Sequence, residues 1–392
     1  MEQDIIIIGA GPAGLSFARD MASSGLNITM LEKHPEEVFA DPPYDGREIA
    51  LTHLSQRIMS DLGMWDLIPK DNISMIKTAK VLNGKSPYAL CFDHDEAGED
   101  TLGYMIANQQ IRKAAYGSLK DFDNIKIMDK TEVISLGTNS EKGWVELSDG
   151  KNLEAPLIIA ADSRFSATRR MMGISTSMLD FGRTCVVCTM SAELPHNDTA
   201  YECFHFGRTL AVLPMNNNQV SIVITLKSEE SDDLLSMSDD DFAADIERRI
   251  DSKFGKMKLT SKLYPYPLVA TFAKKFNKNR FAMIGDATVG MHPVTAHGFN
   301  LGLRGAHILA GEIKTALNSG TDYASQTVLE NYSRKHRRIC APLYHGTNAL
   351  VTLYTKETPT AKFARRALLR LGNRIGPARR LIMNQLTESK AA

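Results

Sequence analysis

Hydrophobic residues at the start of the chain change from a strand-like run to a helix-like spacing. Ile5–Ile8 form an uninterrupted apolar run of strand length. The apolar residues after it recur at the spacing of one helix face, which is typical of an amphipathic α-helix: Leu15, Phe17, Ala18, Met21 and Ala22. A second apolar run ends at Glu32. The pattern therefore predicts a strand–helix–strand unit of the α/β class.

The pattern differs in the middle of the chain and returns near its end. Shorter apolar runs at residues 184–190, 209–213 and 220–226 predict a separate, mainly antiparallel sheet, with a hairpin turn at residues 216–218. A buried-strand pattern resumes at residue 281. We predict three regions: a discontinuous nucleotide-binding domain over residues 1–173 and 273–335, an inserted substrate-binding β-sheet domain over 174–272, and a helical C-terminal region over 336–392.

Glycines lie where the first strand passes into the first helix. Gly9, Gly11 and Gly14 form a Gly-x-Gly-x-x-Gly motif at this turn. Glycines there permit a tight bend and a close approach of the backbone to a pyrophosphate, which the helix N terminus also attracts. Glu32 follows at the spacing typical of an acid that binds a ribose hydroxyl. The motif predicts a dinucleotide that lacks a 2′-phosphate at this position.

A second glycine-rich segment lies far downstream, between Gly285 and Gly302. A helix is predicted to begin at Gly298. Its N terminus, with the Asn300 side chain and backbone amides as donors, can stabilise the anion that forms on a reduced flavin ring. A chain that contributes to its cofactor from both ends would wrap it, so we predict that the cofactor is FAD.

Composition changes this picture little. The chain has 392 residues, more than the ~250–300 at which a single core stops growing, so two domains are expected. Formal net charge is zero, which gives no argument for a nucleic-acid partner. The cysteines are odd in number and scattered, as in a reducing compartment. Cys185 and Cys188 have redox spacing, but we interpret them as buried residues on opposite faces of one strand.

We expect a cytoplasmic protein, because the N terminus lacks the pattern of a signal peptide and no apolar stretch reaches the ~20 residues of a spanning helix.

Three ordered segments relate the chain to a family. They are residues 9–14, residues 162–170 after a predicted strand, and residues 285–286 after another. Together with Arg47 and Arg112, they resemble the fingerprints of the class A FAD-dependent aromatic hydroxylases. Further local likeness is to the bacterial ubiquinone-biosynthesis hydroxylases, at residues 46–51, 291–303 and 343–351. The resemblance implies an α/β, FAD-binding Rossmann-type (GR2) fold with an inserted, mainly antiparallel β-sheet domain and a helical C terminus.

The resemblance assigns roles to matching positions. Asp162 would bridge FAD and the reduced nicotinamide, and Asp286 would bond the ribityl chain. Two departures stand out: Ser163 replaces a family glycine, which costs backbone freedom, and His297 replaces a family glutamine. The implied cofactor-binding residues are Gly9, Gly11, Ala13, Gly14, Glu32, Lys33, Arg47, Arg112, Asp162, Gly285, Asp286, Pro293, Gly298, Phe299 and Asn300; the implied catalytic residues are Pro293, His297 and Asn300.

The implied reaction is hydroxylation of the aromatic ring of a polyprenylated ubiquinone precursor, through a flavin C4a-hydroperoxide, with NAD(P)H as reductant and O2 as oxidant. A base that removes a phenolic proton would help, and the candidates are His292, His297, His205 and Tyr201, with His297 the strongest. An apolar substrate would suit the strands that carry Phe204, Phe206, Leu210, Val212 and Leu213. We predict no metal site.

Two other interpretations stay open. The chain could be another FAD-dependent oxidoreductase of this fold, with a different aromatic or prenyl substrate, or an accessory flavoprotein. Halogenases of this fold carry a Trp-x-Trp-x-Ile-Pro segment, whereas Trp65 and Trp144 are the only tryptophans here, which excludes the usual halogenase.

A basic amphipathic pattern near the C terminus predicts a surface contact. Such a helix can lie on an anionic membrane, where a prenylated quinol would reside, or dock on a ubiquinone-biosynthesis complex; an ordinary terminal helix is the alternative. Its basic residues are Lys362, Arg365, Arg366, Arg370, Arg374, Arg379 and Arg380.

Overall fold

The computed structural model describes residues 3–83, 89–205, 208–293 and 296–355, together with residues 383, 387 and 388. The basic segment of residues 362–380 lies outside the described residues.

Strands and helices alternate in the first third of the chain, and strands dominate its middle. The strands are β1 (Ile5–Ile8), β2 (Ile28–Leu31), β3 (Glu48–Leu51), β4 (Ser74–Ile76), β5 (Thr78–Asn83), β6 (Ala89–Asp93), β7 (Gly103–Ala107), β8 (Ile125–Met128), β9 (Val133–Thr138), β10 (Gly143–Leu147), β11 (Asn152–Ala155), β12 (Leu157–Ala160), β13 (Thr176–Ala192), β14 (Thr199–His205), β15 (Arg208–Met215), β16 (Gln219–Lys227), β17 (Met257–Leu259), β18 (Tyr264–Ala273), β19 (Asn277–Lys278), β20 (Phe281–Met283) and β21 (Val289–Gly290).

The helices connect and cover these strands. They are α1 (Pro12–Met21), α2 (Glu37–Ala40), α3 (His53–Asp61), α4 (His94–Ala97), α5 (Asn108–Gly117), α6 (Ala167–Met171), α7 (Ser231–Leu235), α8 (Asp239–Arg249), α9 (His297–Asn318) and α10 (Gln326–Thr355).

The nucleotide-binding half is a sheet with the order β19-β20-β12-β1-β2-β8. The four strands β20, β12, β1 and β2 pair in parallel with one another, β8 continues this direction, and only the edge strand β19 is antiparallel. All residues of β1, β2 and β12 are buried, which explains why they are continuous apolar runs and not alternating ones. β20 comes from the far end of the chain, so the half is discontinuous in sequence.

The second large sheet has the order β21-β18-β13-β16-β15-β14-β5-β6, with β17 also on β13. Its pairs are antiparallel except β14 with β5. The predicted turn at residues 216–218 joins β15 to β16. This sheet draws on β5, β6 and β21 as well as on the 174–272 segment, and the division into domains stays a prediction.

The two sides of this sheet have different surroundings. The outer face, which carries Cys188 and Ile222, packs against Phe242 and Ile246 of α8. The inner face carries Cys185, Val187 and Tyr264, and it turns toward the β3 region, where Tyr266 Oη donates a hydrogen bond to Asp45 O (2.7 Å). Cys185 and Cys188 therefore lie on opposite faces, as the sequence predicts, and both are free thiols.

Helix α9 is fixed to α1 by a buried charge. Asp20 of α1 is 7% exposed, and its carboxylate accepts hydrogen bonds from His307 Nδ1 (2.7 Å) and Lys314 Nζ (2.6 Å) of α9. Burial alone would raise the pKa of Asp20, but these two partners outweigh it and lower the pKa. The hydrogen bond that His307 donates to Asp20 in turn raises the pKa of His307 above 6.5.

Within the described residues, no helix combines the length and the apolar character that crossing a bilayer requires.

The Asp20 pair predicts a specific titration. Because the pKa of His307 is raised in the folded protein, its imidazolium contributes stability at pH values below 6.5, and this contribution disappears as the pH rises through the folded-state pKa. In an NMR titration of labelled histidine, Asp20→Asn should lower the His307 midpoint. Asp66→Asn, at an exposed position, is the matched control and should leave it unchanged. An equal midpoint in Asp20→Asn and wild type would contradict the assignment.

Candidate cofactor-binding and active site

The turn between β1 and α1 has one glycine with open space and two without. Gly9 has φ +108°, and a Cβ there would lie 2.6 Å from Ala161 O. A Cβ on Gly14 would overlap Gly9 O. A Cβ on Gly11 would meet no atom of the part of the chain that the structure describes within 4 Å. Gly9 and Gly14 are thus required by the packing of the turn, whereas Gly11 faces free space at the N terminus of α1, where an anion is stabilised.

The two distant glycine segments meet in space. Gly285 has φ +60°, and a Cβ on it would lie 2.8 Å from the Cβ of Ala13 in α1. A Cβ on Gly302 of α9 would lie 3.4 Å from Gly285 Cα. Segments from both ends of the chain therefore lie together beside the start of α1, and we call the open space at Gly11 and Gly298 the cofactor groove.

Glu32 is held by two backbone amides. Its carboxylate accepts hydrogen bonds from Ala10 N (2.8 Å) and His34 N (3.0 Å), which fix it at the end of β2 beside the glycine turn. The neighbouring Lys33 is exposed.

Two arginines lie between Glu32 and Asp286. Arg47 Nε donates to Asp45 (3.0 Å), and its guanidinium lies 5.5 Å from the centre of the Tyr266 ring. Burial alone would lower the pKa of Arg47, but the hydrogen bond and charge of Asp45 raise it, and Tyr266 and Asp286 add smaller contributions. Burial and the nearby Arg47 charge lower the pKa of Arg112, with Asp45 and Glu32 opposing. The charges of Arg47, Arg112 and their acidic neighbours thus influence one another.

The second fingerprint adopts a strained turn. Asp162 accepts hydrogen bonds from Ser166 Oγ (2.6 Å) and Thr168 N (3.0 Å), so its carboxylate caps the start of α6. Ser163, at the position of the family glycine, has φ +86°. A non-glycine residue in this region costs of order 1–3 kcal/mol, which the surrounding contacts must compensate. The cost expected from replacing the family glycine therefore appears as backbone strain at Ser163.

Asp286 is held by a residue that sequence reasoning did not assign. Arg164 Nη2 donates to the Asp286 carboxylate (3.1 Å), and Arg164 Nη1 donates to Val269 O (3.2 Å). Arg164 thus joins the second fingerprint, the third fingerprint and β18. In the sequence, the only indication of this role is that Arg164 lies within segment 162–170, which carries the second fingerprint.

Asn300 differs from its predicted use as a flavin donor. Its Nδ2 group donates to Ala50 O and to Ala296 O (both 2.8 Å), and its Oδ1 accepts from Thr52 N (3.1 Å). Both amide hydrogens are thereby used within the protein. The side chain joins the first turn of α9 to β3 and α3, and the backbone amides at the start of α9 are left as the candidate donors.

The other predicted residues of this segment gather at the start of α9. Ala296, before the helix, has φ +53° and donates a hydrogen bond from its N–H to Pro293 O (2.8 Å). His297 is buried in the first helical turn and Phe299 is half-buried. Among the described residues, no atom lies within 4 Å of a Cβ on Gly298, so free space lies at this helix N terminus too.

The other candidate bases are in different surroundings. His292 is buried against Phe181, with ring centres 4.9 Å apart, and burial together with the Arg183 charge lowers its pKa to about 4. Tyr201 lies on the outer face of the nine-stranded sheet, against Phe254, and so points away from the inner face. The side chain of His205 lies outside the described residues.

The strands expected to suit an apolar substrate divide between the two faces. Leu210 and Val212 belong to the outer-face core, whereas Leu213 packs on the inner side with Phe92 and Met383. Phe204 follows Cys203 of the outer face in β14, so its side chain lies on the inner face. Phe206 lies outside the described residues.

Two carboxyls near the site were missed by sequence reasoning. Glu48 of β3 accepts a hydrogen bond from Tyr44 Oη (3.0 Å), and burial raises the pKa of Glu48 to about 7. Glu388 accepts from Arg304 Nη1 of α9 (2.8 Å) and from Thr52 Oγ1 (2.9 Å). No local motif marks either residue. The partners of Glu388 are distant in sequence, and the burial that raises the pKa of Glu48 arises only in the folded protein.

Residues 2–346 of the chain match the family model described as the FAD binding domain. Ubiquinone hydroxylase UbiM of Neisseria meningitidis is 48% identical over 391 residues, covering 99% of this chain and 85% of that protein. The chain belongs to this FAD-binding family. Ubiquinone hydroxylase UbiL of Rhodospirillum rubrum is 30% identical and covers 97% of this chain and 88% of that protein.

Solved structures support the family fold. The p-nitrophenol 4-monooxygenase PnpA of Pseudomonas putida superposes with a TM-score of 0.77 at 18% identity, over 99% of each chain. PqsL of Pseudomonas aeruginosa, in complex with 2-aminobenzoylacetate, gives a TM-score of 0.78 at 18% identity, over 91% of this chain and 97% of that one. The predicted α/β fold with its inserted sheet is confirmed.

The residues of the groove fit FAD. Free space lies at two helix N termini, at Gly11 and Gly298, and a Cβ at either position would extend into it. The charges of Arg47 and Arg112, near each other and near Asp286 and Glu32, suit a pyrophosphate, and the Glu32 carboxylate lies beside the glycine turn. The chain is an FAD-dependent monooxygenase of this family, and enzymes of the family use NAD(P)H and O2.

Gly11→Val tests the placement of the pyrophosphate. The new side chain would meet no protein atom near its Cβ, so we expect the fold to remain, as seen by circular dichroism, and FAD to be lost, as seen by the flavin absorbance of the purified protein. Gly311→Val is the matched control: that glycine of α9 is equally open and exposed, and the variant should stay yellow. A fully yellow Gly11→Val protein would refute the placement.

Proposed function

We propose that the protein hydroxylates the aromatic ring of a polyprenylated ubiquinone precursor. One observation supports the catalytic part of the proposal: among the described residues, free space lies at two helix N termini, at Gly11 and Gly298, and the charges of Arg47 and Arg112 lie near each other and near Glu32 and Asp286. The substrate part rests on the near full-length similarity to ubiquinone hydroxylases.

Residue roles follow from the contacts around the groove. Arg47 and Arg112 would bind the pyrophosphate, Glu32 a ribose hydroxyl, and Asp286 the ribityl chain. The redox chemistry, reduction by NAD(P)H and activation of O2, is supplied by FAD when it is bound. The backbone amides at the start of α9 would stabilise negative charge at the ring edge, because a helix N terminus carries roughly half a positive charge.

Other residues would act by holding these groups in place. Asn300 fixes the first turn of α9 against Ala50 and Thr52. The Asp162 carboxylate already accepts hydrogen bonds from Ser166 and Thr168. It would contact FAD or the nicotinamide only through its remaining lone pairs. We retain Pro293 and His297 as candidate catalytic residues, since both lie at this helix start.

The inner face suits an aromatic ring with an apolar tail. Its side chains around β14 and β15 are mainly apolar, and Met383 from the C-terminal part of the chain packs with Leu90 and Phe92 beside them. An apolar wall binds a prenylated ring by excluding water from both surfaces.

An isotope experiment tests the function. FAD-loaded enzyme is incubated with a short-tailed demethoxyubiquinol, NADH or NADPH, and oxygen-18-labelled O2. We expect substrate-stimulated NAD(P)H oxidation and one labelled oxygen atom in the ring product, seen by mass spectrometry. Oxidation of NAD(P)H without a labelled product would favour a different oxidoreductase, and an enzyme without substrate-stimulated oxidation would favour an accessory flavoprotein.

We also propose that the basic segment of residues 362–380 contacts an anionic membrane surface, since a polyprenylated substrate resides there and each basic residue near such a surface contributes about 1 kcal/mol. A full-length variant with Lys362, Arg365, Arg366 and Arg370 replaced by glutamine keeps Met383 and Glu388 and should co-sediment less with phosphatidylserine vesicles than wild type does, while both bind neutral vesicles weakly. Equal binding by the folded, FAD-loaded variant would reject this contact. Association with other proteins of ubiquinone biosynthesis is the alternative role of the segment.

A further inference from the structure

The inner face of the nine-stranded sheet carries one acid among apolar neighbours. Glu202 of β14 pairs with Ala211 of β15 on one side and with Val81 of β5 on the other. Ala211 pairs in turn with Val223 of β16. Since side chains alternate along a strand and Cys203 belongs to the outer-face core, Glu202 points to the inner face with these residues.

Glu202 lies deep in the protein, yet it keeps accessible surface. Burial is the cause of the raised pKa of its carboxyl, and part of the residue's surface stays accessible. The accessible part of Glu202 therefore borders open space on the inner side of the sheet.

Within the residues that the structure describes, no hydrogen bond or ion pair reaches the Glu202 side chain. Glu48, the other buried carboxyl of this region, does have a partner, Tyr44. Burying an unpaired carboxylate costs several kcal/mol, so such a group is rare unless a ligand completes it.

We propose that Glu202 is a catalytic residue that accepts the proton of the substrate's ring hydroxyl inside the space bounded by the inner face. The assignment rests on the proposed function, because it requires a phenolic substrate. The O–H bond of the ring hydroxyl breaks, its electron pair stays on the ring oxygen, and the proton forms a new O–H bond on Glu202. The anionic oxygen raises the electron density of the ring, which favours attack by an electrophilic oxygen. This step requires no oxidant or reductant.

The environment of Glu202 suits the transfer. Burial raises its pKa to about 8, whereas a phenol has a pKa of ~10 and an ordinary glutamate ~4.3. A base is most effective when its pKa lies near the working pH. The titratable groups within reach are the thiols of Cys185 on β13 and Cys203 on its own strand; Val81 and Ala211 on the flanking strands carry no charge.

The experiment compares Glu202→Gln and Glu202→Asp with wild type, all as FAD-loaded full chains. Glutamine keeps the size and cannot accept the proton; aspartate keeps the base on a shorter side chain. With a short-tailed prenylphenol as substrate, Glu202→Gln should lower kcat about 100- to 10,000-fold, the range of general-base catalysis, with a much smaller change in KM. Glu202→Asp should retain part of kcat. The wild-type kcat should rise with pH up to about 8, and this rise should be absent in Glu202→Gln.

A matched control is Glu154→Gln, because Glu154 is a strand carboxylate at an exposed position of β11. This variant should keep kcat and its pH profile. Flavin content and the thermal unfolding midpoint of each variant exclude misfolding as the cause. A Glu202→Gln enzyme with wild-type kcat and an unchanged pH profile would overturn the proposal.

Ultraviolet difference spectra separate this proposal from the proposed function. The oxidised wild-type holoenzyme should bind the prenylphenol partly as its anion at pH 8, and Glu202→Gln should bind it as the neutral phenol. If wild type ionises the phenol without hydroxylating it, the proposed function fails and the role of Glu202 stands. If wild type hydroxylates the phenol and both proteins bind it in the same protonation state, the role of Glu202 is wrong and the function stands.

Discussion

The structure depends on one close contact, between the Gly285 backbone and the Ala13 side chain at the start of α1. A Cβ on Gly285 would lie 2.8 Å from the Cβ of Ala13, so the two ends of the chain approach at this distance only because one of them has no side chain. The Asp20 pair then holds α9 along α1. Since α9 is fixed in this way, its N terminus and Gly298 face the same groove as Gly11, and a site can form from segments about 290 residues apart.

The charged groups along this groove are oriented by neighbouring residues that also contact β18. Asp45 orients Arg47 and is itself held by Tyr266 of β18; Arg164 orients Asp286 and also bonds β18. A strand of the inserted sheet therefore supports both charged groups of the cofactor groove. This arrangement couples the substrate side to the cofactor side, because a shift of β18 would displace Arg47 and Asp286 together.

The sequence predicted those features that depend on local geometry. The glycine turn, the buried runs of β1 and β12, and the helix after residue 297 each follow from spacing within about 20 residues. It did not predict the internal bonds of Asn300 or the partner of Asp286, because Ala50 and Arg164 come near them only after the chain has folded. It placed Tyr201 among the candidate bases, although one position along β14 decides which face a side chain occupies. A shift of one residue in a strand reverses that face, and the register is set by long-range pairing.

Two buried carboxyls show how the fold treats charge on the substrate side. Glu48 lies beside the cofactor groove and accepts a hydrogen bond from Tyr44, whose ring packs against Tyr264 of β18 at 5.9 Å; its surroundings are complete without a ligand. Glu202 has comparable burial and a similarly raised pKa, but the strands on either side of it offer only Ala211 and Val81. A hydrophobic residue at position 202 would pack there at lower cost, since desolvating an unpaired carboxylate is unfavourable. The acid is therefore better explained by a polar group of the ligand than by the stability of the sheet.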